Sequence, residues 1–223
     1  MKVSVLQFPG TNCEYDTKYA FEQLGCEVRV IWHKEKEIPS DTDLVVIPGG
    51  FSYGDYLRSG AIARFANVME SVKEFAAKGG KVLGICNGFQ ILLEAGLLPG
   101  AMKRNDSLHF ISKYHTLKVI NNDNQFLSLL NKDDVLNIPV AHHDGNYYID
   151  EAGLKDLEAN GQILLKYCDK NGNLVNMNGS VSNIAGICNK EKNVFGLMPH
   201  PERAIENMLG STDGVNMLKG FLQ

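Results

Sequence analysis

The sequence predicts an α/β protein in which a mostly parallel central sheet is flanked by helices. Short apolar runs of strand length alternate with segments of helical periodicity, which is typical of a parallel sheet covered on both faces. One strand pattern passes into a helix pattern with no loop between them, at residues 82–93. The chain has 223 residues, 44% of them hydrophobic, so we expect one sizeable core and a single domain spanning residues 1–223.

The first half of the chain has the more regular pattern. Each predicted strand is a short apolar run, and each predicted helix is closed by glycine or begins at a polar residue. In chain order we predict a strand at 3–6, a helix at 12–25, strands at 28–32 and 44–47, a helix at 62–77, a strand at 82–85 and a helix that starts at once behind it.

Beyond Pro99 and Gly100 the pattern becomes less regular. We predict strands at 108–111, 117–120, 135–141, 163–167, 184–188 and 194–198, and helices at 125–130, 150–160 and 215–222. The stretch 176–183 is rich in Asn, Gly and Ser but is too short to divide two domains, so it is interpreted as a surface loop.

Composition and charge exclude several classes of function. The formal net charge is −4 and there is no long basic run, which argues against a nucleic-acid surface. Five scattered cysteines form no C-x-x-C pair and no zinc spacing, so neither a disulfide framework nor a structural metal is expected. The apolar run at residues 1–6 is short and is soon followed by Pro9 and Gly10, so we do not expect it to be a signal peptide, and no apolar stretch reaches membrane-spanning length. We therefore expect a cytoplasmic protein.

The junction of strand and helix at Cys86 is the strongest chemical signal. A residue that turns a strand into a helix in one step is forced into a strained backbone conformation and needs small neighbours. Gly84 and Gly88 provide them, in the Gly-x-Cys-x-Gly pattern of a nucleophile elbow. At a helix N-terminus, free N–H groups and the helix dipole favour a thiolate. The alternative, on this stretch alone, is a small buried cysteine between two ordinary glycines.

A second glycine-rich stretch follows the strand at 44–47. Residues 48–56 contain Gly49, Gly50 and Gly54 but lack the Lys-Ser/Thr of a phosphate-binding loop, and no dinucleotide-binding motif occurs anywhere. A Gly-Gly pair at the carboxyl end of a strand beside the elbow suits backbone N–H groups that bind a developing oxyanion. The alternative is a plain loop.

A cysteine nucleophile needs a base, and the base needs a group that orients it. His200 follows a predicted strand end between two prolines, and Glu202 lies two residues further on. In an extended segment both side chains point to the same face, so that Glu202 can hold one imidazole nitrogen while the other faces Cys86. The alternatives are a strand-to-helix turn with Glu202 in the first helical turn, and His142 or His143 as the base.

This constellation predicts attack of a thiolate on an acyl carbon, a tetrahedral oxyanion, loss of an amine and hydrolysis of the thioester. The expected oxyanion donors are the backbone N–H of Asn87 and one N–H from the Gly49, Gly50 and Phe51 loop. The spacing does not indicate which acyl compound is attacked.

These residues resemble the class I, or triad-type, glutamine amidotransferases. The elbow with Cys86, Asn87 and Gln90 looks like theirs, as does the pair His200 and Glu202. The likeness covers nearly the whole chain, and it is greatest to members that serve purine biosynthesis. It rests on the stretches 8–10, 48–58, 60–66, 138–142, 178–180, 198–203 and 210–214.

The resemblance implies a flavodoxin-like domain that binds glutamine through Gly50, Phe51, Asn87 and Gln90 and hydrolyses it to glutamate and ammonia. Cys86 would be the nucleophile. The resemblance also implies a partner, a large synthetase subunit that binds ATP, Mg and formylglycinamide ribonucleotide and takes up the ammonia, and a small bridging subunit. No cofactor and no metal site are expected in this chain.

One departure from the family pattern concerns the segment after His142. Members usually carry Gly-Glu there, whereas this chain has His143 and Asp144. Two other interpretations of the elbow stay open: a non-catalytic regulatory module with Cys86 as a redox sensor, and a peptidase of the related cysteine families. Those peptidases commonly place a histidine directly after the cysteine, where this chain has Asn87.

Overall fold

The computed structural model describes residues 1–223 and contains two sheets. Nine strands form the central sheet, in the order β2-β1-β3-β4-β11-β10-β9-β6-β7, and β5 and β8 form a separate pair. The strands are β1 (Lys2–Gln7), β2 (Glu27–Trp32), β3 (Leu44–Ile47), β4 (Lys81–Ile85), β5 (Ala101–Lys103), β6 (Ile111–Val119), β7 (Val135–His142), β8 (Asn146–Tyr148), β9 (Ile163–Cys168), β10 (Ile184–Cys188) and β11 (Val194–Leu197).

The sheet has a parallel part and an antiparallel part. Strands β2, β1, β3, β4 and β11 pair in parallel, and β10, β9, β6 and β7 continue the sheet with antiparallel pairs. β3 and β4 are almost entirely buried apolar runs, as expected for strands that helices cover on both faces. Because β1, β3, β4 and β11 run in the same direction, their carboxyl ends meet at one edge of the sheet, where α/β proteins bind ligands.

Five helices accompany the sheet: α1 (Glu14–Gln23), α2 (Asn67–Ala77), α3 (Asn87–Glu94), α4 (Glu151–Ala159) and α5 (Gly214–Lys219). One hydrophobic cluster of 53 buried residues joins helices and sheet. Helix α3 is the most deeply set, because seven of its eight residues, 87–93, are buried. None of the helices combines the length and the apolar character that crossing a membrane requires.

Several predicted elements differ from the observed ones. The predicted helix at 62–77 is interrupted at Ala66, whose extended backbone separates a short 3₁₀ turn from α2. No strand begins at Leu108, and the two strands predicted at 108–111 and 117–120 are replaced by the single strand β6. The segment 125–130 forms turns and no helix, with Phe126 and Leu127 buried against the core. Packing, and not helical propensity, holds it.

The loop at 176–183 is not simply a surface loop. The side chains of Asn178 and Ser180 are only 2% exposed, and both bond to the Gly145 carbonyl oxygen. Ser180 Oγ also accepts a hydrogen bond from the Tyr147 N–H. Its polar composition therefore reflects hydrogen bonds that hold β8 in place.

Candidate active site

Cys86 lies at the carboxyl end of β4 and is the residue before α3. Its backbone has φ 51° and ψ −107°, so the strained conformation expected of an elbow is present. A Cβ on Gly88 would come within 1.8 Å of the Ile47 carbonyl oxygen, and one on Gly84 within 2.7 Å of the Gly88 oxygen. Only glycine at both positions allows α3 to start this close to β3 and β4.

His200 and Glu202 meet just beyond the end of β11. His200 Nδ1 and Glu202 Oε1 are 2.7 Å apart, and the two residues are 1% and 2% exposed. The backbone of this segment is not extended, although one interpretation of the sequence assumed that it is. Pro201–Arg203 form a 3₁₀ turn, and the carboxylate reaches the imidazole from inside that turn. The contact is the predicted one, although the backbone geometry is that of the alternative.

The surroundings of His200 favour an imidazolium. Burial lowers the pKa of the imidazole, but the Glu202 carboxylate and the Cys86 thiolate outweigh this effect and raise it well above its usual value. His200 Nε2 is buried and makes no hydrogen bond within the chain, which leaves it free for proton transfer.

Gly49 is the point where these side chains converge. A Cβ at this position would lie 2.8 Å from His200 Cε1, 3.0 Å from Cys13 Sγ and 3.5 Å from Cys86 Cβ. Cys13, Cys86 and His200 also line one small cavity of about 140 Å³. The structure therefore brings the predicted thiol and imidazole together across a residue without a side chain.

Two backbone N–H groups beside Cys86 are free. Neither Asn87 nor Gly50 donates its N–H to another backbone atom, whereas the Phe51 N–H is bound to the Gly10 oxygen at 2.9 Å. Gly50 has φ +150°, and a Cβ there would come within 2.8 Å of the Asn12 nitrogen. Of the loop residues predicted from the sequence, Gly49 and Gly50 thus have N–H groups without a backbone acceptor, and of these two only Gly50 lines the cavities that Cys86 borders. Phe51 lines both cavities, but its N–H is already bound.

A larger cavity of about 320 Å³ lies on the other side of Cys86. Gln90 borders this cavity and is fixed by two hydrogen bonds. Its Nε2 donates to the backbone carbonyl oxygen of Asp144 at 2.6 Å, and its Oε1 accepts from Asn87 Nδ2 at 2.8 Å. Asn87 in turn accepts from the Ser52 N–H at 3.1 Å. The cavity is lined by Gly50, Phe51, Asp55, Leu57, Arg58, Ser59, Cys86, Gln90, Met102, Arg104, Ala141, His142, His143 and Asp144.

The other histidines are placed less favourably for a base. His142 lines the larger cavity and is 3% exposed, and burial together with repulsion from His200 lowers its pKa to about 4. His143 lies beside it with Nδ1 2.9 Å from Asp144 Oδ1. His33 bonds to Tyr53, His109 to its own loop, and His115 packs against Tyr167.

Sequence reasoning missed Cys13 and Arg203. Cys13 Sγ accepts a hydrogen bond from Arg203 Nη2 at 2.9 Å, and burial raises the pKa of the thiol. Arg203 also holds Asp16 through Nε at 3.0 Å. The position of Cys13 just beyond β1 was the available signal, because the carboxyl ends of β1, β3, β4 and β11 share one edge.

Donor atoms of Cys13, His200 and Glu202 lie within 4.8 Å of one another, the spacing of a metal-ligand group. The Arg203 guanidinium already contacts the thiol, and the imidazole is already bound to the carboxylate. Internal hydrogen bonds and an ion pair thus account for this cluster.

The chain matches the model of the CobB/CobQ-like glutamine amidotransferase domain over residues 1–216, and it belongs to this family of glutamine amidotransferases. It is 70% identical to phosphoribosylformylglycinamidine synthase subunit PurQ of Sulfurimonas denitrificans over 100% of both chains. The subunit of the same name from Wolinella succinogenes is 61% identical over 99% of both.

A solved structure shows the same fold. A chain of the PurLQS structure from Thermotoga maritima superimposes with a TM-score of 0.89 and 40% identity, over 99% of this chain and 97% of that one. These similarities confirm the fold class and the enzyme class expected from the sequence, and they decide against the peptidase and the non-catalytic regulatory module.

Proposed function

We propose that this chain is the glutaminase subunit of phosphoribosylformylglycinamidine synthase, in de novo purine biosynthesis. The observation that carries the proposal is the thiol of Cys86 on a strained elbow, next to a buried His200–Glu202 pair, in a chain 70% identical over its full length to a subunit of that synthase. It acts as a single domain over residues 1–223, in the cytoplasm.

In the first half-reaction the Cys86 thiolate attacks the side-chain amide carbon of glutamine. The free N–H groups of Asn87 and Gly50 stabilise the oxyanion of the tetrahedral intermediate. His200, held by Glu202, protonates the departing amine, and ammonia leaves while a γ-glutamyl thioester forms on Cys86.

In the second half-reaction water hydrolyses that thioester. His200 now accepts a proton from the attacking water and returns it to the Cys86 sulfur as glutamate departs. Glu202 stays ionised and fixes the orientation and charge of the imidazole, because its Oε1 contacts Nδ1 at 2.7 Å. Each turnover releases one glutamate and one ammonia.

The ammonia passes to a large synthetase subunit that uses ATP and Mg to convert formylglycinamide ribonucleotide to formylglycinamidine ribonucleotide, and a small subunit bridges the two. Support comes from the PurLQS structure and from the absence of any nucleotide-binding motif in this sequence. This chain needs no cofactor for its own reaction, because the nucleophile, the base and the oxyanion donors are all protein groups.

The test compares two nitrogen sources in the assembled complex. We expect Cys86→Ala to abolish glutamine-dependent synthesis, because no thioester forms, and to leave synthesis from added ammonium salt at the wild-type rate. The matched control is Cys26→Ala, which removes a buried thiol remote from the site. Equal loss of both activities in the Cys86 variant would overturn the proposal.

A further inference from the structure

A second thiol lies beside Cys86, and the proposed reaction gives it no part. Cys13 is the residue before α1, as Cys86 is the residue before α3, and both line the small cavity of about 140 Å³ together with His200. The Cys13 sulfur lies within 4.8 Å of a ring nitrogen of His200. The imidazole of the reaction therefore shares its cavity with two thiols, of which the reaction uses only Cys86.

The backbone holds Cys13 close to the elbow. The N–H groups of Asn12 and Cys13 both donate to the Gly49 carbonyl oxygen, at 3.5 and 3.2 Å. Gly49 has no side chain, and a Cβ there would lie 3.0 Å from Cys13 Sγ and 3.5 Å from Cys86 Cβ. The two cysteines thus border the space that a side chain at position 49 would fill. A disulfide needs its Cβ atoms about 3.5–4.5 Å apart, so the two side chains have to close across this space.

The two thiols differ in their surroundings. Cys13 Sγ donates to Asn12 Oδ1 at 3.1 Å and accepts from Arg203 Nη2 at 2.9 Å. Burial raises the pKa of the Cys13 thiol, and the contacts with His200 and Arg203 offset this only in part, so Cys13 is protonated at neutral pH. Cys86 also borders the larger cavity, which receives the substrate in the proposed reaction. An oxidant that enters there meets Cys86 first, with Cys13 behind it.

We propose that Cys13 is a resolving cysteine for Cys86: a hydroperoxide oxidises Cys86, and Cys13 then forms a reversible disulfide with it. Glutamine is not hydrolysed in this state, because the Cys86 sulfur is no longer a nucleophile. The disulfide also prevents further oxidation of Cys86 to the sulfinic acid, which is irreversible. The inference goes beyond the proposed function and rests on it only for the reactivity of Cys86.

The chemistry takes two steps. In the first, the Cys86 thiolate attacks one oxygen of hydrogen peroxide, an S–O bond forms, the O–O bond breaks, and the departing hydroxide takes a proton from His200 and leaves as water. In the second, the Cys13 sulfur attacks the sulfenic acid, the S–S bond forms, the S–O bond breaks, and water leaves with the proton of the Cys13 thiol. In total two thiols are oxidised, one peroxide is reduced and two waters are released.

The experiment treats the reduced chain, alone and in the assembled complex, with hydrogen peroxide. The remaining thiols are then alkylated, and the unreduced peptides are analysed by mass spectrometry. We expect one cross-linked pair, the peptides of Cys13 and Cys86, to form in step with the loss of glutamine-dependent synthesis. Dithiothreitol should restore that synthesis, and synthesis from ammonium salt should persist throughout. No cross-link between these two peptides, or a disulfide of Cys86 with another cysteine, would overturn the inference.

Cys13→Ser removes the resolving thiol and keeps a small polar side chain in its place. Each variant is compared with its own activity before oxidation, so a change in basal activity does not affect the comparison. After excess peroxide and then dithiothreitol, the recovered fraction of activity should be at least about fivefold lower in Cys13→Ser than in the wild type, because Cys86 proceeds to the sulfinic acid.

The matched control for this variant is Cys26→Ser, which removes another buried thiol, one that lines neither cavity. Its activity should recover as that of the wild type does. Equal recovery in Cys13→Ser and the wild type would show that Cys13 does not protect Cys86 and would contradict the inference.

This outcome is separate from that of the proposed function. Glutamine-dependent synthesis by the reduced enzyme tests the role of Cys86 in the proposed reaction, whereas the disulfide is detected as a covalent bond whichever acyl compound the enzyme uses. Prior labelling of Cys86 with a glutamine-mimicking diazoketone should prevent the cross-link, because its sulfur is then occupied. A disulfide of Cys13 that still forms would join it to another thiol and count against the inference.

Discussion

At the scale of single residues, the site depends on the contact between His200 and Glu202. Both are almost fully buried, and the carboxylate keeps the pKa of the imidazole high although burial alone would lower it. A protonated His200 places a positive charge close to Cys86, where the reaction needs a nucleophilic sulfur. The carboxylate therefore acts on the nucleophile indirectly, through the charge of the ring between them.

Glu202→Gln tests this contact. The amide can still reach Nδ1 but carries no charge, so the pKa of His200 should fall and the imidazole should lose the positive charge that it presents to Cys86. We expect kcat/KM for glutamine to decrease by about 10² to 10⁴, the range attributed to general acid–base catalysis. The steepest part of the pH–rate profile should move to lower pH together with the pKa of His200.

The matched control is Glu206→Gln, a neighbouring carboxylate that bonds to Tyr19 at the surface. Its activity should stay within a factor of about two of the wild type, since surface polar contacts contribute little. A Glu202→Gln enzyme with wild-type activity and an unshifted pH profile would show that His200 needs no carboxylate.

At the scale of elements, the elbow requires α3 to begin against the backbone of β3. Gly88 is the residue that permits this approach. In Gly88→Ala the new Cβ would overlap the Ile47 carbonyl oxygen, at 1.8 Å, and neither backbone can yield without moving a strand or a helix. Alanine has a higher helix propensity than glycine, so any loss of stability in this variant comes from the clash.

We expect Gly88→Ala to lower the free energy of unfolding by about 3 kcal/mol or more, because overpacking against a rigid backbone exceeds the usual range for core insertions. Chemical denaturation followed by circular dichroism measures it. Gly96→Ala is the control just beyond the same helix. Its Cβ would meet nothing within 4 Å, so only the positive φ of 73° should lower the free energy of unfolding, by about 1 kcal/mol. Equal effects of the two substitutions would contradict the packing argument.

The elements differ in how far the sequence predicts them. Strands such as β3 and β4, and the helix behind Cys86, follow from local apolar periodicity and two glycines. The antiparallel part does not, because β6 is only half buried and its apolar pattern is broken. The small β5–β8 pair depends on hydrogen bonds from the loop at 176–183, which no local pattern reveals.

The same distinction applies to the site. Cys86, His200 and Glu202 are adjacent to strand ends and glycines or prolines, so their meeting is predictable from the topology. Cys13 and Arg203 meet only through the packing of α1 against the turn after β11. Such contacts between residues far apart in the sequence can be recognised only from the three-dimensional structure.

At the scale of the whole molecule, five parallel strands bring the loops after β1, β3, β4 and β11 to one edge, where Cys13, Gly50, Cys86 and His200 gather. In the isolated chain the Cys86 sulfur lies 3.6 Å from the Ala141 oxygen, and His200 Nε2 makes no hydrogen bond. Catalytic hydrogen bonds often tighten only in the complex. We infer that the synthetase partner aligns thiol and imidazole, so that glutamine is consumed when an acceptor of ammonia is present.

The most direct test of the account is mass spectrometry of the chain after treatment with a glutamine-mimicking diazoketone, with and without the synthetase subunit. We predict one adduct, on the Cys86 peptide, which forms faster when the partner is present. Cys13, Cys26, Cys168 and Cys188 serve as internal controls, because all five thiols are buried. An adduct on Cys13, or no adduct on Cys86 in the complete complex, would contradict the claim that Cys86 forms the γ-glutamyl thioester.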